Sequence, residues 1–179
     1  NIVVDVLVNN AGFGTYGLEL DVPWEKTNQM LQLDIVTLTY MTKLFARDMV
    51  KRGSGYILQI GSVGAFQPAP MYSAYSAAKA YVRSFSQALN CELKGTGVSC
   101  TLISPGSTAT EFQKVAGMGP NPFIDGTAMQ SADVARIGIH AMLKRKFHVI
   151  PGWINKLLVF FVWMTPDPIN AAMAFRMMK

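Results

Sequence analysis

The sequence predicts an α/β fold built on a parallel sheet, and three observations predict it. Short runs rich in β-branched and aliphatic residues alternate with long helical runs, the pattern of strand–helix–strand units. The first such run, Asp5-Val6-Leu7-Val8-Asn9, is apolar at successive positions, as expected of a parallel strand buried on both faces. Three of the runs end in small or polar residues: Asn9-Asn10-Ala11-Gly12, Ile60-Gly61-Ser62 and Ser104-Pro105-Gly106. Ligands of open α/β sheets bind beyond the carboxyl ends of strands, so these three ends mark one rim.

Each element has its own signals. A helix is expected from Pro23 to about Arg52, with Asp21 as N-cap, Pro23 in the first turn, and Gly53 and Gly55 ending it. Tyr56–Ile60 reads as the second strand. A helix from about Tyr72 to Lys94 stops at Gly95 and Gly97, and Val98–Ile103 is the third strand. A loop rich in Gly and Pro follows from Pro105 to about Thr127. Ser131 is expected to cap a helix reaching Lys146, with Asp133 favourable in its first turn, and Phe147–Ile150 is a last strand. Residues 1–152 are thus expected to form one α/β unit, and residues 153–179 an apolar, Met-rich tail.

The bulk numbers exclude several functions. The chain has 179 residues and a net charge of +5, but its cations are scattered, and no basic stripe interleaves with aromatics, which argues against nucleic acid. Cys91 and Cys100 lack metal-binding or redox spacing and read as reduced core thiols of a cytoplasmic protein. His140 and His148 are isolated, so no metal is expected. The run Leu157–Met164 is too short to span a bilayer, which takes about 20 residues. The tail keeps three readings. It can cover an apolar substrate pocket, pack on the core or a second subunit, or lie on a membrane surface with Lys156, Arg176 and Lys179 facing headgroups.

Gly12-Phe13-Gly14-Thr15-Tyr16-Gly17 has the G-x-G-x-x-G form of a dinucleotide fingerprint. A pyrophosphate cradle needs a helix opening at the third glycine. Here the helix signals start only at Asp21, so the segment is read as a glycine-rich turn near a ligand.

Tyr75-Ser76-Ala77-Ala78-Lys79 carries the chemistry. Its i, i+4 spacing puts a phenol and an ammonium on one helix face. A neighbouring cation favours the phenolate and brings the tyrosine toward the working range of an acid/base. Alone the spacing is common. It gains weight from Ser62 at one strand end, Asn10 to Gly12 at another, and Pro105, Gly106, Thr108 and Thr110 at the third.

The order N-N-A-G, then Ser, then Y-x-x-x-K, then P-G-x-x-x-T resembles the short-chain dehydrogenases/reductases over roughly Asp5 to Phe112. That resemblance implies a Rossmann-like, doubly wound parallel sheet and an NAD(P)-dependent oxidoreductase, with NADP favoured over NAD. The implied substrate is a small hydrophobic carbonyl or secondary alcohol, and the complete enzyme is expected to be a homo-oligomer. Tyr75 would be the acid/base, Lys79 would lower the Tyr75 pKa and bind the nicotinamide ribose, and Ser62 would orient the substrate oxygen. Asn10, Ala11 and Gly12 would line the adenosine side, and Pro105, Gly106, Thr108 and Thr110 would surround the nicotinamide.

Two departures follow from the resemblance. The family's first strand and its T-G-x-x-x-G-x-G phosphate loop have no counterpart here, so the chain is expected to be the C-terminal portion of the fold, with an open apolar edge and little activity by itself. Asp34 stands where the family has a catalytic asparagine. It either serves the proton relay or only stabilises a helix irregularity. The competing functional class is a cofactor-binding protein without turnover, regulatory or structural.

Overall fold

The computed structural model describes residues 2–119, 121–122 and 126–178. Four strands form a parallel sheet in the order β1 (Val6–Asn9), β2 (Gly55–Ile60), β3 (Val98–Ile103) and β6 (His148–Val149). A helix from Trp24 to Arg52 connects β1 to β2, as α1 (Trp24–Leu31), a π segment (Gln32–Thr37) and α2 (Leu38–Arg52). Helix α3 (Ser73–Glu92) connects β2 to β3, and α5 (Ser131–Leu143) precedes β6. The expected alternation therefore holds, with helices on both faces of the sheet.

Leu7, Ile57, Val98 and Cys100 pack under Ala46 and Met49 of α2. On the other face, Leu58 and Ile103 meet Met142, Val134 and Ile137 of α5. This explains a correction. Strand β1 is not buried on both faces: Leu7 is buried, but Val6 and Val8 are 41% and 46% exposed. They share a face with Leu58, and α5 packs mainly on β2 and β3. An apolar run shows that burial is tolerated, not that a neighbour is present.

Smaller corrections concern the caps and the loop. Pro23 is the N-cap of α1 without a side-chain cap bond, so Asp21 does not cap it. Gln130, not Ser131, is the N-cap of α5. Cys100 is buried, but Cys91 is exposed rather than a core thiol. The segment expected as loop from Pro105 holds a short strand β4 (Thr108–Ala109), paired with β5 (Met129–Gln130), and a one-turn helix α4 (Phe112–Ala116). Its residues 120 and 123–125 lie outside the described residues. The tail folds as two helices, α6 (Trp153–Met164) and α7 (Asp167–Met178), and Lys179 lies outside the described residues. Gly12 to Gly17 opens no helix, since none begins before Trp24.

Candidate active site

The three strand ends meet at a cavity of about 990 Å³. Asn10 and Gly12 line it after β1, Ser62 after β2, and Pro105, Gly106, Thr108 and Thr110 after β3. Tyr75 and Lys79 enter from α3. Two expected site residues stand apart. Ala11 is exposed and does not line the cavity, and Asp34 lies behind the lining, buried.

A buried polar network supports this rim. Asn9 Nδ2 donates to Thr42 Oγ1 at 2.8 Å and to Gln59 Oε1 at 3.0 Å. Gln59 Nε2 donates to Thr42 Oγ1 at 2.9 Å, and Thr42 in turn donates to the Leu38 carbonyl at 2.7 Å. Every buried polar group in it has a partner, which fixes how β1 and β2 end relative to α2. At the second strand end, Ser62 is extended and its hydroxyl accepts from the Gly64 amide at 3.1 Å, so it caps a short 3-10 turn, Val63–Phe66. The cap and the site are therefore one residue.

Tyr75 is walled by aromatic rings, with Tyr72 at 5.7 Å and Phe112 at 5.1 Å between centroids. Burial pushes its phenol well above the ordinary range. A hydrogen bond with the Ser62 side chain pulls the other way, and the Asp34 charge pushes it further up. Lys79 has Asp34 and the Ile60 carbonyl as partners. Its ammonium sits 2.9 Å from Asp34 Oδ2 and 3.4 Å from the Ile60 carbonyl, and 5.6 Å from the Tyr75 ring centroid. Burial also raises the Asp34 pKa, against the pull of Lys79 and of the Phe13 amide.

The π segment explains how a helix residue reaches Lys79. A π turn widens the helix by one residue and shifts the side chains it carries, and such turns recur at functional sites. Gly12 packs directly on the result: a Cβ there would fall 2.7 Å from Asp34 Oδ1. The glycine serves the carboxylate as well as the cavity.

Of the three readings left open for the tail, pocket cover matches where its residues lie, and Val162, Met173, Met177 and Met118 are lining residues that the sequence did not single out. Leu158, Phe161 and Val162 of α6 and Met173 and Met177 of α7 close the cavity with apolar surface, next to Met118 and Phe112. The tail docks through Asn155, which lies against the space that a Gly106 side chain would take and donates to the Pro151 carbonyl at 2.8 Å. The half-buried Asn155, beside Lys156 in a mostly apolar helix, was the signal available. Outward, α6 leaves Trp153, Phe160 and Trp163 exposed at 73%, 51% and 81%. Among the described residues, no helix is long and apolar enough to cross a membrane.

Residues 3–120 match the family described as short chain dehydrogenase. The chain belongs to this family. It is 34% identical over 139 residues to an uncharacterised short-chain type dehydrogenase/reductase of Sinorhizobium fredii, covering 75% of this chain and 56% of that protein. It is 31% identical over 160 residues to the very-long-chain 3-oxoacyl-CoA reductase of Anas platyrhynchos, covering 87% of this chain and 51% of that one. A short-chain dehydrogenase from Sphingobium yanoikuyae, solved in complex with NADPH, superposes with a TM-score of 0.78 at 28% identity, covering 86% of this chain and 59% of that one. The chain thus spans between half and three fifths of the lengths of these relatives.

The family implies a nicotinamide cofactor, and the residues present fit one end of it. The Ser107 hydroxyl is buried on the cavity wall without a protein partner, as expected of a group that faces a ligand. Beside it, Pro105, Gly106 and Thr108 present backbone and small side chains, which let a flat ring come close.

Proposed function

We propose that this chain carries the reaction centre of an NAD(P)-dependent oxidoreductase that interconverts an apolar carbonyl compound and its secondary alcohol. One observation carries the reading: Ser62, Tyr75 and Lys79 open together on a cavity whose wall is mostly apolar and is closed by Leu158, Phe161, Val162, Met173 and Met177. Lys79 and the Pro105–Thr110 segment would hold the nicotinamide half of the cofactor, with Asn10 toward its adenosine side, and when bound that ring supplies or accepts the hydride. Ser62 donates to the substrate oxygen and fixes its place. Tyr75 then moves the proton at that oxygen, and a phenol held protonated suits the direction that donates it, carbonyl reduction. Ala11 and Gly12 flank the adenosine side.

NADP is the cofactor we favour, in keeping with the NADPH bound by the Sphingobium relative. The methionine-rich wall favours apolar substrates of varied shape, because thioether side chains repack readily. The name of the avian relative, a reductase of very long acyl chains, points the same way. We place the complete protein in the cytoplasm as a homo-oligomer, with the outward stripe of α6 resting on a membrane surface.

The test is Tyr75→Phe in the full-length protein, with NADPH oxidation followed over a panel of hydrophobic ketones. Loss of the transferable proton is expected to slow turnover by at least about 100-fold, the lower range for acid/base catalysis. NADPH binding, read by fluorescence, is expected to persist. Parent-rate turnover by the Phe variant would overturn the assignment.

A further inference from the structure

A carboxylate occupies the place where the resemblance puts a neutral asparagine, and it is not a spectator. Asp34 and Lys79 are both buried, with side chains 0% and 9% exposed, and they meet at 2.9 Å. Two features place the carboxylate there: the π turn that carries it, and Gly12, whose missing side chain leaves room for Oδ1.

We propose that Asp34 is a positioning residue that clamps the Lys79 ammonium in a direct ion pair and so withholds that charge from Tyr75. This rests on the proposed function and deepens it. An asparagine at the same place would leave Lys79 a full cation 5.6 Å from the Tyr75 ring. The pair with Asp34 largely cancels that field, and the carboxylate is itself a negative neighbour of the phenol. The other titratable groups around Tyr75 do not compensate. Tyr72 at the N-cap of α3 and Tyr16 on the loop after β1 are phenols, Ser62 is neutral, and Glu111 at the cavity rim is 84% exposed and screened. The consequence is a proton donor that stays protonated into the alkaline range, in a site biased toward reduction.

The experiment compares Asp34→Asn with the parent in the full-length protein by two readouts. One is the ionisation of Tyr75 without cofactor, taken as the ultraviolet difference titration between each background and its Tyr75→Phe counterpart. The other is the alkaline limb of ketone reduction at saturating NADPH. Both are expected to move to lower pH in Asp34→Asn by about 1–3 units, the usual effect of a cation at this distance. Asp34→Glu, which keeps the charge, is expected to stay near the parent. Identical midpoints in the Asp and Asn backgrounds would overturn the proposal. If Asp34→Asn does not fold, the parent titration still offers a refuting outcome. Tyr75 is expected to ionise no earlier than its ordinary 10.0, and ionisation near neutrality refutes the clamp. A fully active Tyr75→Phe sinks the functional reading, whereas an inactive Tyr75→Phe with unmoved titration sinks only this inference.

Discussion

Gly12→Ala is a one-atom probe of the buried ion pair. The added Cβ would lie 2.7 Å from Asp34 Oδ1 and 3.3 Å from both Cγ and Oδ2. The first contact is closer than real Cβ atoms allow, so something must retreat by several tenths of an ångström. The φ of Gly12 is not in the left-handed region, so backbone strain adds nothing. Asp34 cannot swing away freely, because its side chain is fully buried and tied to Lys79 at 2.9 Å. Overpacking of this kind costs about 1–3 kcal/mol. For a chain of this size that is a fall in Tm of about 2–12 °C.

Urea unfolding of four proteins tests this: parent, Gly12→Ala, Asp34→Ala and the double variant. Asp34→Ala removes the three atoms that the new methyl would meet. The cost of Gly12→Ala is therefore expected to vanish in that background, giving a coupling energy of about 1 kcal/mol or more. Gly119→Ala is the control, because a Cβ there meets nothing within 4 Å. The reasoning fails if Gly12→Ala behaves like Gly119→Ala, or if its cost persists without the Asp34 carboxylate.

Lys79→Met leaves the Asp34 carboxylate buried and unpaired, which is expected to cost about 3–5 kcal/mol in urea unfolding. Adding Asp34→Asn should recover most of it, and no recovery would mean that the two side chains are not a pair. Gly97→Ala places a side chain at φ +79° against the Gly53 backbone carbonyl. Loss of at least the left-handed penalty of about 1–2 kcal/mol is expected, and a neutral result would show that the turns at Gly53 and Gly97 are not in contact.

Legibility of the site in the sequence tracked the range of the interactions involved. Strand ends were readable because a buried apolar run that stops in Asn, Gly, Ser or Pro changes chemistry within a few residues. Tyr75 and Lys79 were readable because helical spacing alone puts them on one face. What Lys79 touches was not: the ammonium turns to Asp34, through a π turn with no distinctive sequence. The partial exposure of β1 was equally hidden, because it depends on how far α5 reaches across the sheet. Helix α4 escaped because five residues, Phe112–Ala116, are too few to show a period. The tail was legible as apolar but not as two-faced, since both faces of α6 are apolar and only packing distinguishes them.

That two-faced helix allows its roles to be separated. Leu158, Phe161 and Val162 border the cavity, while Trp153, Leu157, Phe160 and Met164 fall at i, i+4, i+7 and i+11 along the outer side with Trp163 beside them, each among the exposed residues. The backbone between is fixed, because Asn170 Nδ2 donates to the Val162 carbonyl at 3.0 Å and to the Thr165 carbonyl at 2.9 Å. A change on one face is therefore not expected to be relayed by rotation of the helix. Val162→Phe adds a ring to the cavity wall. For a bulky ketone it is expected to lower kcat/KM by about 10-fold or more, the scale on which apolar pockets discriminate, while a small ketone is little affected. Trp163→Ser acts outside, where the side chain is exposed. It is expected to leave kcat/KM unchanged in buffer and to weaken sedimentation with phosphatidylserine vesicles by about 10-fold, the loss of one buried aromatic. Equal effects of Val162→Phe on large and small ketones would place the substrate elsewhere. A Trp163→Ser variant that loses turnover in buffer yet keeps its vesicle binding would make the outer stripe part of the protein's own packing instead of a lipid-facing surface.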